Sequence, residues 1–376
     1  MSEPARESDS ASASAPDTEA RELLERLVST PSPTPEESEC AAELVAFFES
    51  HGREVFRDEV GNVRAPADDS VLYTSHVDTV PGDIPVRIEE GDRGPELWGR
   101  GSVDAKGPLA ALAVAAVRTG VSFVGVVGEE VDSRGARHLV AERDAPDAVV
   151  NGEPSGADGI TLGYRGMLSG TYLSTSESGH TSRPENNAIQ DAIGWWSAVE
   201  DRFDTDDGVA PPEQRDEAGT AGEVPVFERV TPKPVSIEGG VSDDGLAVET
   251  TLDVQLRVPP RYSTADVKEL AAGELEAGTV TWTDSVEPTM QSPRTPLARA
   301  FRVAIREAGG EPRLLRKTGT ADMNIYAGAW DCPMVTYGPG DSDLDHAPDE
   351  HLELHELDRA VAVLEAVAAE LTRPNA

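Results

Sequence analysis

The sequence predicts an α/β fold in which a mixed, mainly parallel sheet is flanked by helices. Three short apolar runs, at 71–75, 122–127 and 148–150, have the composition and length of buried strands. A helical stretch over 108–117 separates the first two runs, and this alternation is typical of βα units around a parallel sheet. With 376 residues, the chain is long enough for two domains that each bury a core.

Residues with metal-binding side chains follow these strands closely. His76 comes directly after the first run, Glu129 and Glu130 come just after the second, and Glu153 just after the third. Asp104 lies shortly before the helix. Since ligands bind at the carboxyl ends of the strands in such sheets, we expect these side chains to converge at one rim. Imidazoles and carboxylates together suit Zn²⁺ or Co²⁺.

Each of these residues also has an ordinary structural explanation. An Asp or Glu after a strand commonly caps a helix or lies in a solvated loop, and a single His is usually structural or exposed. The adjacent pair Glu129-Glu130 favours a metal site, because neighbouring carboxylates repel each other unless cations lie nearby. With His346 near the C-terminus, the set has the ligand inventory of a two-metal hydrolase.

Five motifs resemble those of the M20 metallopeptidase family, which includes acetylornithine deacetylase, succinyl-diaminopimelate desuccinylase and carboxypeptidase G2. They are SHVDTVP at 75–81, GSVDAKG at 101–107, GEE at 128–130, NGEP at 151–154 and LDHAP at 344–348. The resemblance covers most of the chain, from about Leu23 to the final helix.

Further stretches resemble one branch of that family in particular. They are LWGRGSVDAKGP at 97–108, NGEPSG at 151–156, TGTADMN at 318–324 and YGPGDS at 337–342. Members of this branch release lysine or ornithine from the C-terminal Glu of a small amino-group carrier protein. The resemblance therefore implies an amidohydrolase of lysine or arginine biosynthesis, acting on a linear C–N amide bond with the carrier protein as its partner.

The resemblance also implies a di-metal aminopeptidase-like catalytic domain that holds two divalent ions, Zn²⁺ or Co²⁺. His76, Asp104 and Glu153 would hold one ion. Asp104, Glu130 and His346 would hold the other. Asp104 would then bridge the two, as a short carboxylate does when the ions are about 3.5–4 Å apart.

Catalytic roles are implied for three further residues. Glu129 would be the general base, taking a proton from the attacking water and returning it to the leaving amine. Asp78 would accept the second ring N–H of His76 and so fix its tautomer. His180 would stabilise the developing oxyanion from the partner subunit of a homodimer.

Substrate contacts are expected from a later part of the sequence. Arg257 matches the carboxylate-binding Arg of the family, and a guanidinium fork suits a planar carboxylate. Asn187 matches a second substrate-binding position. The pocket for the side-chain amine is expected to include Thr320, Asp322 and Asn324, for which ordinary turn and capping roles are the alternative.

The order of the motifs predicts an interrupted catalytic domain. Its metal-binding residues lie within 18–160 and 290–376. The intervening segment, 161–289, is predicted to be an inserted α+β lid or dimerisation domain. We expect a disordered acidic N-terminus over 1–17 and a flexible acidic loop over 204–224, because both are rich in polar, Pro or Gly residues.

Composition limits the class of protein further. The net charge of −38 suggests a halophilic cytosol, where salt screens the self-repulsion, and it excludes nucleic acid as a partner, because phosphate would be repelled. The two cysteines, Cys40 and Cys332, do not make a disulfide framework. The sequence has neither an apolar run of about 18 residues nor an apolar signal core. We therefore expect a cytoplasmic protein without membrane association.

Three functions remain open at this point. The first is release of lysine or ornithine from the carrier protein. The second uses the same chemistry on a free small substrate such as N-acetylornithine or N-succinyl-diaminopimelate, and the catalytic residues do not separate these two. The third is a metal-binding scaffold or amino-acid sensor without catalysis; Glu129 argues against it, because a scaffold has no need of a general base.

Overall fold

The structure is a computed structural model that describes residues 16–180, 182, 184–206 and 224–373. Two of the sequence predictions fall largely outside these residues. They are the disordered N-terminus, of which only Pro16 and Asp17 are described, and the flexible acidic loop, which lies outside from 207 to 223.

Helices and strands alternate along most of the described chain. The helices are α1 (Thr18–Ser29), α2 (Ser38–Ser50), α3 (Lys106–Thr119), α4 (Arg134–Glu142), α5 (Ala188–Asp206), α6 (Thr264–Gly273), α7 (Pro296–Glu307), α8 (Asp322–Ala329) and α9 (Leu354–Leu371). The first eight strands are β1 (Phe56–Arg57), β2 (Val63–Ala65), β3 (Asp68–His76), β4 (Arg87–Gly91), β5 (Gly94–Trp98), β6 (Val121–Val126), β7 (Val149–Gly152) and β8 (Gly159–Tyr164). The others are β9 (Gly166–Glu177), β10 (Thr231–Val241), β11 (Ala247–Val258), β12 (Thr279–Val286), β13 (Thr289–Met290), β14 (Arg313–Lys317), β15 (Met334–Thr336) and β16 (His351–Glu353).

The largest sheet is mixed, with a parallel centre. Its strand order is β1-β2-β6-β3-β7-β15-β8-β13, and β14 also pairs with β8. Strand β3 is parallel to both β6 and β7, and β7 is parallel to β15, whereas β2, β8 and β13 pair antiparallel with their neighbours. The predicted mixed sheet flanked by helices is therefore confirmed.

Helix α3 is buried on all of its sides over most of its length. Every residue from Lys106 to Ala116 is buried, and most are Ala, Leu or Val. A helix that is apolar on all sides is stable only when it is covered on all sides. Gly120 ends the helix in the left-handed conformation, with φ 77°, and its N–H donates to Ala116 O.

The contacts divide the chain into two compact units. Unit 1 comprises Met1–Leu162, Gln291–Leu315 and Ala329–Ala376, and unit 2 comprises Gly163–Met290 and Arg316–Gly328. The functions predicted for the two parts, catalysis and a lid or dimerisation role, stay predictions.

Unit 2 contains a four-stranded antiparallel sheet of order β10-β11-β9-β12. Strands β9 and β11 pair over their whole length, from Ala247↔Glu177 to Val258↔Gly166. Helices α5 and α6 contribute to its core, in which Trp195 stacks on Tyr172 with ring centroids 4.9 Å apart. Along the described residues, no helix has the length and hydropathy of a bilayer span.

Candidate metal centre

Register brings the predicted ligands of the three parallel strands to one rim. His76 pairs with Val126, the last residue of β6, and Ser75 pairs with Gly152, the last residue of β7. The strands therefore end at nearly the same level. The residues that follow them, including Glu130 and Glu153, leave the sheet at the same edge.

His76 is the buried centre of this rim, with 1% of its surface exposed. Its Nε2 lies 3.2 Å from Asp104 Oδ1 and 4.0 Å from Glu153 Oε2. Its Nδ1 lies 2.8 Å from the main-chain oxygen of Asp78 and 3.7 Å from Asp78 Oδ1. The backbone carbonyl of Asp78, rather than its carboxylate, therefore accepts the second ring N–H. That contact leaves Nε2 as the ligand atom.

The carboxylate of Asp78 instead holds the turn after β6. It accepts hydrogen bonds from the N–H groups of Glu129 and Glu130, both at 3.1 Å, and from Thr34 Oγ1 at 2.6 Å. Gly128 begins this turn with φ 76°, and a Cβ there would lie 2.2 Å from Arg134 Nη1. The turn therefore needs glycine, and Asp78 fixes the two glutamates that follow it.

Asp104 lies between two imidazoles. Its Oδ1 faces His76, and its Oδ2 lies 3.1 Å from His346 Nε2. The same Nε2 lies 3.1 Å from Glu130 Oε2. All five predicted metal ligands are therefore brought together, with Asp104 between the two histidines.

The centre has the chemistry of a cation site. Within the described residues, ligand atoms of His76, Asp104 and Glu130 all lie within 4.8 Å of one another. Glu130 Oε1 is buried and has no hydrogen-bond partner there. A buried, unsatisfied carboxylate oxygen is costly, and a divalent cation would satisfy it. The residues present therefore fit the two metal ions that the sequence implies.

The pKa shifts in the centre reflect this crowding. Burial raises the pKa of Glu130 to about 7, and the hydrogen bond to Asp104 raises the pKa of His346 to about 9. Burial lowers the pKa of His76, but its hydrogen bond to Asp104 and the charge of Glu153 more than offset this and raise it well above the usual value. Metal binding must therefore displace protons from this group of side chains.

His180, the third predicted catalytic residue beside Glu129 and Asp78, has an exposed side chain in unit 2. Its Nδ1 lies 3.2 Å from the N–H of Ser182 and 2.8 Å from the Ser182 hydroxyl. Because Nδ1 accepts from the main chain, the neutral ring carries its proton on Nε2. Nε2 is then available to donate a hydrogen bond.

Two of the predicted substrate residues, Arg257 and Thr320, meet in unit 2. Arg257 lies on β11, and its Nη1 is 3.4 Å from Thr320 Oγ1. Burial lowers the pKa of the Arg257 guanidinium, so the charge is partly desolvated and favours an anionic partner. Asp322, at the start of α8, is 1% exposed.

Asn187 and Asn324 have structural roles in unit 2. Asn187 Oδ1 accepts from the N–H groups of Ile189 and Gln190 and so caps the start of α5. Asn324 is 2% exposed; its Oδ1 accepts from Ala321 N–H, and its Nδ2 donates to Arg165 O and Glu287 O. Both amide hydrogens of Asn324 are therefore bound to the main chain, and the expectation that Asn324 lines the amine pocket stays a prediction.

Sequence reasoning missed one residue that shapes the centre, Thr34, and left a second, Glu350, open between support of the metal ligands and the start of the final helix. Thr34 binds Asp78 from a loop 44 residues earlier, and no pattern in the sequence links the two. Glu350 is fully buried and accepts from the N–H of Asp104 at 3.0 Å. Its position four residues after His346 was the one available signal.

The chain is similar to known proteins over most of its length. Residues 72–370 match the model of the peptidase family M20/M25/M40. A LysW-lysine hydrolase of Deinococcus radiodurans is 40% identical over 375 residues, which cover 94% of this chain and 97% of that protein. A LysW-lysine/LysW-ornithine hydrolase of Sulfurisphaera tokodaii is 29% identical over 292 residues, or 76% of this chain and 77% of that protein.

A solved structure shows the same fold. An M20 family metallo-carboxypeptidase from Sulfolobus solfataricus matches with a TM-score of 0.72 at 20% sequence identity. The match covers 94% of this chain and 99% of that chain.

Proposed function

Since the chain belongs to the peptidase family M20/M25/M40, as its motifs predict, we propose that it is a two-metal hydrolase that releases lysine, ornithine or both from the C-terminal Glu of the LysW carrier protein. The observation that carries this proposal is the convergence of His76, Asp104 and Glu130 beside the hydrogen-bonded turn of Glu129. The substrate assignment is supported by the relative that is 40% identical over 94% of the chain.

Two divalent ions, Zn²⁺ or Co²⁺, are assigned to the rim. His76, Asp104 and Glu153 would hold one, and Asp104, Glu130 and His346 would hold the other. When bound, such ions polarise the amide carbonyl and lower the pKa of water to near neutrality. The main-chain oxygen of Asp78 keeps the Nδ1 proton of His76 in place, which directs Nε2 to the centre.

Glu129 is the proton carrier of the reaction. Its main chain is held by Asp78, and its carboxylate is not needed as a ligand in the assignment above. Glu129 accepts a proton from the attacking water and delivers it to the amine as the C–N bond breaks. The amine leaves as free lysine or ornithine, and the C-terminal Glu of the carrier regains a free carboxylate.

His180 and a homodimer complete the proposal. The protonated Nε2 of neutral His180 suits a hydrogen bond to the oxyanion. Strand β10 supports association of two copies: within the described residues it pairs only with β11, and its side chains Val235, Ile237 and Val241 are 62%, 54% and 64% exposed. A long apolar edge of this kind is ordinarily covered in the native assembly.

A heterodimer of two inactive variants tests whether His180 acts across the dimer. A heterodimer with Glu129→Gln in one subunit and His180→Ala in the other keeps one complete centre if His180 acts across the dimer, because the intact Glu129 and the intact His180 then meet in the same centre. A heterodimer isolated with two different tags is expected to show about half of the wild-type activity, because one of the two equivalent sites is complete. Each homodimeric variant is the control. An inactive heterodimer of the correct mass would place His180 in its own subunit's site.

Arg257, Thr320 and Asp322 are assigned to the substrate. The half-buried guanidinium of Arg257 binds a carboxylate of the conjugate, with Thr320 beside it. The carboxylate of Asp322, which is 1% exposed, forms an ion pair with the side-chain ammonium of lysine or ornithine. Asn187 contributes through Nδ2, because its Oδ1 caps α5.

High salt is part of the proposed setting. At a net charge of −38, self-repulsion and repulsion of an acidic partner are strong at low ionic strength. At molar salt the Debye length falls to about 3 Å, so that only local contacts matter. We assign the protein to the cytoplasm of a cell that maintains such salt.

The decisive experiment compares carrier-linked and free substrates. Purified protein is given LysW-lysine, LysW-ornithine, N-acetylornithine and N-succinyl-diaminopimelate in multimolar KCl with Zn²⁺ or Co²⁺. We expect rapid release of free lysine or ornithine from the conjugates, and the ratio of the two assigns the pathway. Rapid turnover of a free substrate alone would overturn the carrier assignment and leave the metal chemistry in place.

A further inference from the structure

Glu350 is a buried carboxylate that binds the loop carrying Asp104. Its side chain is fully buried. Oε1 accepts from Val103 N–H at 2.8 Å and Asp104 N–H at 3.0 Å. Oε2 accepts from Gly101 N–H at 3.0 Å and from Arg100 Nη1 at 2.8 Å. Four donors therefore surround one carboxylate, which offsets the cost of burying its charge.

The same residue connects two ligand-bearing segments. Glu350 follows His346 by four residues, and its main-chain oxygen accepts from Gly99 N–H at 3.3 Å. Asp104 and His346 face each other across 3.1 Å. The backbone that presents one ligand is thus tied to the segment that presents the other.

The far side of the Asp104 loop is fixed independently. Gly101 O accepts from Lys106 N–H at 2.8 Å, and Lys106 Nζ donates to Leu27 O and Thr30 O at the end of α1. Gly101 has φ 82°, and a Cβ there would lie 2.6 Å from Thr79 Cγ2. The loop is therefore close-packed, and Glu350 supports it from the C-terminal segment with an anionic side chain.

We infer that Glu350 is a positioning residue of the metal centre, which sets the distance of Asp104 from His346 by binding the N–H groups of residues 101, 103 and 104. A glutamine cannot replace it, because one oxygen becomes an NH₂ group that faces N–H donors. Since a metal ion bound between the two segments depends on that distance, this inference rests on the metal centre of the proposed function.

Metal affinity, rather than activity, is the readout of the test. Glu350→Gln is expected to weaken Zn²⁺ binding by about 10–100-fold in calorimetric titration of metal-free protein and to change the visible spectrum of the Co²⁺ form. Glu350→Asp keeps the charge and is expected to restore part of the affinity. It also keeps the test open if the glutamine variant does not fold.

Asp358→Asn is the matched control. Asp358 is also a buried carboxylate of unit 1, and it accepts from Asp17 N–H and from Nε and Nη2 of Arg21, two residues that lie outside the ligand loop. Its variant should lower Tm without changing metal affinity or the Co²⁺ spectrum. If Glu350→Gln bound metal as tightly as Asp358→Asn and wild type do, Glu350 would not position the metal centre and would be a structural residue only. Wild type that binds no metal would overturn the proposed function itself.

Discussion

Replacement of Glu129 by glutamine is expected to lower kcat by about 10²–10⁴-fold, the usual contribution of a general base, and to leave both metal ions bound. Glutamine keeps the shape of the side chain but cannot accept the proton. The main chain at this position is held by Asp78 through its N–H, which the variant retains. Steady-state kinetics on the LysW conjugate and metal analysis by mass spectrometry measure the two effects separately.

The neighbouring residue supplies a sharp control. Glu130 lies at the same turn and is held by the same carboxylate, but its Oε2 is 3.1 Å from His346 and its Oε1 is buried without a partner among the described residues. Glu130→Gln should therefore lose metal, whereas Glu129→Gln should not. The reverse result would show that the base and the ligand have been exchanged.

The residues at the rim of the sheet could be predicted from the sequence, because side chains that follow parallel strands lie at the same edge of the sheet. Runs of apolar residues located β3, β6 and β7, and the ligand types stood directly after them. Once three parallel strands end at the same level, the residues that follow must meet at one edge. The positions of His76, Glu130 and Glu153 follow from this rule alone.

The supports of the rim were not predictable in the same way. Thr34 and Glu350 reach the centre through hydrogen bonds between loops that are remote in sequence, and such contacts leave no periodic pattern. The sequence of β10 does not predict a strand, because Pro232 and Pro234 interrupt its pattern. Proline is tolerated there because β10 is an edge strand. The motif predicts a substrate contact for Asn324, and its hydrogen bonds to the main chain carry no signal in the sequence.

Replacement of Asp104 by asparagine is expected to abolish turnover by removing metal. Each carboxylate oxygen faces a different imidazole, with Oδ1 3.2 Å from His76 Nε2 and Oδ2 3.1 Å from His346 Nε2. Asparagine keeps one oxygen and presents NH₂ on the other side, so one of the two ion positions loses a ligand and the centre loses a negative charge. Metal content is expected to fall from about two ions per subunit to about one or fewer, since a bridging ligand serves both.

Asp349→Asn separates loss of a ligand from loss of charge. Asp349 is an exposed carboxylate three residues after His346, so its variant changes the charge of the same region by the same amount. We expect Asp349→Asn to bind metal as wild type does, because the remaining negative charge of the chain is large and the exposed group is screened. Full metal content in Asp104→Asn would show that the ions do not share this carboxylate. The two histidines would then belong to separate sites, and the bridging role of Asp104 in the mechanism would have to be withdrawn.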